Sequence, residues 1–212
     1  DAGLGGSPGH FLTIEPYPGE VVEMDYERII IDAPYVRVRG LRLIDVGLGI
    51  VNWHGHPDHV ELLDNVISGP DLSYGAITTS GDDLLIEGNT INLTGVSGLG
   101  SESHGIYLGW GSRNVVRNNV ITGATGYGIH LYDEDKYPGF TPTFSDIVVE
   151  GNVVSGARLR SGMIVSAAAG VTIDGVIVRN NVMGGNNHAG LLIGPYGASM
   201  HDVRENNNVF YR

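Results

Sequence analysis

Hydrophobic positions in this chain come in runs of three to five, rich in Val, Ile and Leu, and each run is closed by Gly, Asn or Asp. Gly or Pro interrupts almost every window of about a dozen residues, so no apolar stripe of helical period can build up. Short strands joined by tight turns are predicted instead. The runs also recur in kind. Leu62-Leu63-Asp64-Asn65-Val66-Ile67, Ile86-Glu87-Gly88-Asn89-Thr90-Ile91, Val116-Arg117-Asn118-Asn119-Val120-Ile121, Val149-Glu150-Gly151-Asn152-Val153-Val154 and Val178-Arg179-Asn180-Asn181-Val182-Met183 are copies of one strand-corner-strand unit. Degenerate copies lie at Val38 to Leu43 and within Val203 to Phe210. The corner asparagines are spaced by 24, 30, 33 and 29 residues.

Between these copies lies a second strand that opens on glycine: Gly49-Ile50-Val51, Gly75-Ala76-Ile77, Gly105-Ile106-Tyr107, Gly128-Ile129-His130, Gly162-Met163-Ile164 and Gly190-Leu191-Leu192. A unit of strand, Asn corner, strand, turn, Gly-strand and turn suits a solenoid whose coils stack about 4.8 Å apart. An Asn at the same corner of each coil can take a left-handed backbone and pass an amide hydrogen bond to the Asn above and below. Asn65, Asn89, Asn119, Asn152 and Asn181 are therefore expected to form a buried structural ladder. Two residues before those corners stand Glu87, Arg117, Glu150 and Arg179, alternating in sign up the stack.

On the Asn-Val-Ile corners and the strand His104-Gly105-Ile106-Tyr107-Leu108, the chain resembles right-handed parallel β-helix repeat proteins of the pectate-lyase-like superfamily over roughly Arg28 to Phe210. The expected fold is all-β: one single-stranded right-handed parallel β-helix of about seven coils, in one domain spanning 1–212. Ile14-Glu15-Pro16-Tyr17-Pro18-Gly19-Glu20 resembles the early coils of secreted polysaccharide lyases and mannuronan-C5-epimerase-like proteins. The resemblance implies an extracellular or envelope-associated protein. It also implies action on a uronate-containing polysaccharide by β-elimination or C5-epimerisation. The superfamily also contains hydrolases and non-catalytic binding or assembly proteins, so fold alone does not choose among them.

Composition narrows the partners. Twelve Lys and Arg against 24 Asp and Glu give a net charge of −12, with Lys136 the only lysine, which disfavours a nucleic-acid surface. No apolar run approaches the roughly 20 residues of a membrane helix. With no Cys, thiol chemistry and thiolate metal sites are excluded. The 33 glycines match the repeated tight turn. The first strands show no amphipathic capping helix and Tyr211-Arg212 follows directly on a corner strand, so the expectation is a fragment of a longer chain, a further domain or second copy covering the open edges, or caps of irregular sequence.

Loop lengths locate the candidate site. The third coil is long through Gly95 to His104 and the fourth from Asp133 to about Ser145, so the two insertions can wall a groove on adjacent Gly-strands. Its floor is expected to be Val51, Ile77, Tyr107, His130, Ile164 and Leu192, an otherwise apolar outward stripe. Tyr107, His130, His104 and Lys136 are the candidate catalytic residues: His130 or Lys136 as base and Tyr107 as acid. Tyr132, Asp133, Asp135, Glu102, Arg158, Arg160 and Trp53 are candidate substrate-binding residues. An arginine, or a calcium ion held by Asp133 and Asp135, would neutralise the uronate carboxylate. Glu102 opposite Asp133 or Asp135 would instead suit a glycoside hydrolase.

A second motif competes. His54-Gly55-His56-Pro57-Asp58-His59 matches the H-x-H-x-D-H zinc signature of the metallo-β-lactamase superfamily. That superfamily resembles an αβ/βα sandwich with long helices, whereas the chain downstream continues in Gly-Asn coils. Within a solenoid, His54, His56, Asp58 and His59 become a corner loop beside Trp53 able to hold a divalent metal.

Overall fold

A computed structural model describes residues 4–25, 28–50, 57–69, 74–94, 100–133, 143–194 and 196–212. The chain winds as a parallel β-solenoid. Two sheets of eight strands run the length of the coil, one from Leu12–Ile14 to Arg204–Asn206 and the other from Glu23–Met24 to Val209–Tyr211. The third side is a seven-stranded sheet of the Gly-strands, from Ile29–Ile31 to Leu191–Ile193. A fourth sheet of four short strands, Gly111–Ser112, Thr143–Ser145, Thr172–Asp174 and Ser199–His201, flanks the later coils. The three-strand repeat did not anticipate it. Among the described residues the single helical element is the 3-10 turn Gly100–Glu102, and no helix is long and apolar enough to cross a membrane.

Alternation within each three-residue strand decides what is core. Leu62, Ile86, Val116, Val149 and Val178 point inward at one level, Ile67, Ile91, Ile121, Val154 and Met183 at another, and all are buried. The corner between these two sheets is held by the asparagines. Nδ2 of Asn65, Asn89, Asn119, Asn152 and Asn181 each donates to Oδ1 of the next Asn in the stack at 2.9–3.0 Å, and Asn208 continues the series. Each Oδ1 also accepts the backbone N–H of the Asn before it, as Asn119 does from Asn89 at 2.9 Å.

The left-handed backbone belongs to the residue before each corner position, which is Leu41 in the degenerate first copy and a ladder Asn in the coils that follow. Gly40, Asp64, Gly88, Asn118, Gly151 and Asn180 all have φ between 54° and 70°. Glycine alternates with Asp or Asn for a steric reason: a Cβ at Gly88 would strike Oδ1 of Asp64, and one at Gly151 would strike Oδ1 of Asn118. The alternating charges beside this corner pair as their register requires, Arg117 with Glu87 at 2.8 Å and Arg179 with Glu150 at 2.7 Å. Such half-exposed pairs contribute little to stability each.

The register of the third sheet corrects the glycine alignment. Ile77 pairs with Ile106, so it faces the core, and Thr78 takes the outward place beside Tyr107. Leu48 pairs with Ile77 and Gly49 with Thr78. The small residues that open each strand are thus Gly47, Ala76, Gly105, Gly128, Gly162 and Gly190, whose carbonyls and amides link neighbouring coils. A Cβ at Gly105 would collide with Cγ2 of Ile121 and the carbonyl of Gly128. Gly105→Ala is therefore expected to destabilise by about 1–3 kcal/mol through overpacking, read as a lower urea midpoint at unchanged slope. An unshifted midpoint would mean that the two sheets can move apart.

Candidate functional site

The outward column of the third sheet runs Ile30, Gly49, Thr78, Tyr107, His130, Ile164 and Leu192. Ile164 is only 1% exposed, so the expected open apolar stripe is closed there. Val51 lies outside the described residues. At the centre, inward Ile129 and Leu131 turn His130 outward, as Ile106 and Leu108 do for Tyr107. Pairing of the two strands stacks the Tyr107 and His130 rings at 4.9 Å and 20°.

Three residues before Tyr107 and His130, ahead of each strand, the order is reversed. His104 precedes Gly105-Ile106-Tyr107, and Tyr127 precedes Gly128-Ile129-His130. In parallel register these two segments make a two-by-two block of His and Tyr. The His130 ring lies 4.1 Å from His104, 4.9 Å from Tyr127 and 5.3 Å from Tyr132. The His104 ring lies 5.7 Å from both Tyr127 and Tyr107. Tyr127 was not among the residues singled out from the sequence. The signal that finds it is the mirror relation of His-Gly-Ile-Tyr and Tyr-Gly-Ile-His, visible once the strands are laid side by side.

Arg160 closes the cluster from the following coil. Its Nη2 donates to Oγ of Ser101 at 2.9 Å, on the 3-10 turn, and its guanidinium carbon lies 5.9 Å from the Tyr127 ring centre. Desolvation, with Arg160 adding repulsion, lowers the pKa of His104 to about 4. Desolvation also pushes His130 well below the ordinary imidazole range, helped by His104 and Arg160. Burial raises the pKa of Tyr127, partly offset by Arg160. Both imidazoles are therefore neutral at pH 7, with a fixed positive charge beside them.

The remaining candidates that the structure describes show no ring contact with this cluster. Glu102 is exposed on the 3-10 turn, and Asp133 is buried at the end of the His130 strand, with its carbonyl accepting the Ala168 amide at 2.9 Å. Arg158 turns away to stitch coils together, donating to the carbonyls of Leu93 and Gly123 at 2.9 Å each. Asp58 accepts the Asp82 amide at 2.9 Å, while His59 stacks on Tyr35 at 4.6 Å with Nε2 3.9 Å from Asp83. Trp53, His54, His56, Asp135 and Lys136 lie outside the described residues. Among the described residues no three His, Asp or Glu side chains converge as a metal-binding group.

The family model described as "right handed beta helix region" matches residues 49–210, about three-quarters of the chain. The chain belongs to the right-handed β-helix family. No curated protein and no solved structure matches it. The β-helix family accounts for the coils and the Asn ladder. It does not by itself specify a reaction, because the chemistry of such folds resides in the side chains presented on one face.

Proposed function

We propose that this β-helix acts on an extracellular, uronate-containing polysaccharide by abstracting the proton at C5, leading to β-elimination or C5-epimerisation. The observation that carries the reading is the Tyr107–His130 stack on the outward sheet face, inside a cluster whose imidazoles are neutral and which the Arg160 guanidinium flanks. In this reading Nε2 of His130 takes the C5 proton and Arg160 pairs with the substrate carboxylate, lowering the cost of the developing charge. In elimination the C4–O bond breaks as the C4=C5 double bond forms, and Tyr107 gives its phenolic proton to the leaving oxygen. In epimerisation a proton returns to C5 from the opposite face. Aromatic rings at 4.9–5.3 Å along the face also suit the apolar faces of sugars.

The test is incubation of the protein with pectate, alginate and other uronate polymers, with and without chelator. Absorbance of the unsaturated product reports elimination, and proton NMR of the polymer reports inversion at C5. Turnover of one polymer is expected, with His130→Ala and Tyr107→Phe each reducing kcat by about 100-fold or more at unchanged fold. Because protonation of His130 is suppressed, the acid limb of kcat/KM is expected well below pH 6.5. Flat traces and unchanged polymer NMR across the set would overturn the reading in favour of a binding or assembly β-helix.

A further inference from the structure

The two imidazoles at the centre of the cluster are not interchangeable. Nδ1 of His104 accepts the backbone N–H of Tyr127 at 3.0 Å. A ring nitrogen that accepts a hydrogen bond holds its lone pair, so the proton of this neutral imidazole resides on Nε2. The packing enforces the arrangement. Gly126 brings its backbone against the ring, where a Cβ would strike Nδ1 of His104 and the carbonyl of Ser101, and its own N–H is held by the Ser103 carbonyl at 2.6 Å. Placing a proton on Nδ1 would break the Tyr127 bond at a residue only 4% exposed.

The other nitrogen is available. Nε2 of His104 has no hydrogen-bond partner among the described residues, yet it is not one of the buried unpartnered atoms, which are Arg117 Nε, His130 Nδ1 and Asn186 Nδ2. It is thus an N–H donor left without an acceptor among the described residues, in a ring packed against His130, Tyr107 and Tyr127 on the outward face. His104 cannot serve as the base, because its one lone pair is already engaged by Tyr127.

We propose that His104 is a fixed hydrogen-bond donor whose Nε2–H binds the carboxylate of an acidic sugar and stabilises the charge that builds there as the C5 proton leaves, His130 remaining the base. This division of labour rests on the uronate reading above. A neutral imidazole suits the role: its N–H donates to a developing enolate without surrendering a proton, as in other enzymes that enolise carbonyl substrates. Arg160 supplies the full charge and His104 supplies direction.

Imidazole proton–nitrogen correlation spectra of the 15N-labelled protein at pH 7 and pH 5.5 test the assignment, with the His104 signal identified by its loss in His104→Gln. The expected result is a neutral Nε2–H tautomer at both pH values. Its proton should move downfield on titration with trigalacturonate, trimannuronate or triguluronate, and should not respond to cellotriose. An Nδ1–H tautomer, an imidazolium at pH 5.5, or no response to all three acidic trimers would overturn the proposal. With a polymer that is turned over, His104→Ala should lower kcat about 100-fold with a smaller rise in KM, and His104→Gln, which keeps an N–H donor, should restore most of both. The expected tautomer and uronate response without turnover would sink the reaction and leave His104 as an anion donor. Turnover with an Nδ1–H tautomer would do the reverse.

Discussion

Replacing Asn119 by Ala is expected to remove about 4 kcal/mol of folding stability. Asn119 is fully buried, and its Nδ2 donates to the carbonyls of Ile86 and Arg117 and to Oδ1 of Asn152, each at 3.0 Å. Its Oδ1 accepts both the backbone and side-chain nitrogens of Asn89. Truncation strands the Asn89 amide and strips a donor from Ile86, each costing about 1–3 kcal/mol in a dry interior, and leaves a small void. The loss is large against a typical total of about 5–15 kcal/mol. Because each coil touches only its neighbours, a defect in the middle of the stack weakens both halves. Urea unfolding followed by circular dichroism measures the effect. Asn92→Ala, at an exposed site on the adjacent sheet, is the control and should change stability by no more than about 0.5 kcal/mol. Equal effects at the two positions would refute a structural ladder.

Lowering the pH from 7 to 4 is expected to cost a further fraction of stability of similar size. His104 is held near pKa 4 in the native state, against about 6.5 when unfolded. Between those values the unfolded chain binds a proton that the native chain refuses, so unfolding becomes easier as the pH falls, and the loss is complete below about pH 4. At about 1.4 kcal/mol per tenfold change in proton affinity, this depression corresponds to roughly 3 kcal/mol from His104 alone. His130 acts in the same direction. Carboxylates with lowered pKa, such as Asp83 beside Arg113, contribute stability that is lost only at lower pH, below their unfolded value of about 3.8. The window from pH 6.5 to 4 therefore isolates the imidazoles. Urea midpoints across that range provide the measurement, and His104→Gln should flatten the slope. A wild-type stability that stays level from pH 7 to 5 would show that the cluster admits protons freely.

The parallel solenoid, the burial of Asn65, Asn89, Asn119, Asn152 and Asn181, and the pairing of Arg117 with Glu87 and of Arg179 with Glu150 were legible in the order of residues. These features repeat at every coil, and repetition makes a local preference readable: any residue recurring at one corner must meet its own copy about 4.8 Å away. Tyr107 and His130 were also readable as neighbours, because their strands share a glycine and a length.

Tertiary structure alone decided what does not repeat. The slip that sends Ile77 inward and brings Thr78 beside Tyr107 depends on Ala76 occupying the place that Gly105 holds one coil later. A single-residue shift reverses the facing of a whole strand, and nothing within the strand itself signals it. The chemistry of His104 was settled in the same way. Its tautomer follows from a backbone amide 23 residues further along the chain, at Tyr127, and its low pKa from burial beneath rings supplied by two coils with Arg160 from a third. Hydrogen-bond partners and desolvation are properties of the assembled face, so a sequence can nominate a histidine for a site, but only the packing around it decides whether it gives a proton, takes one or holds it in place.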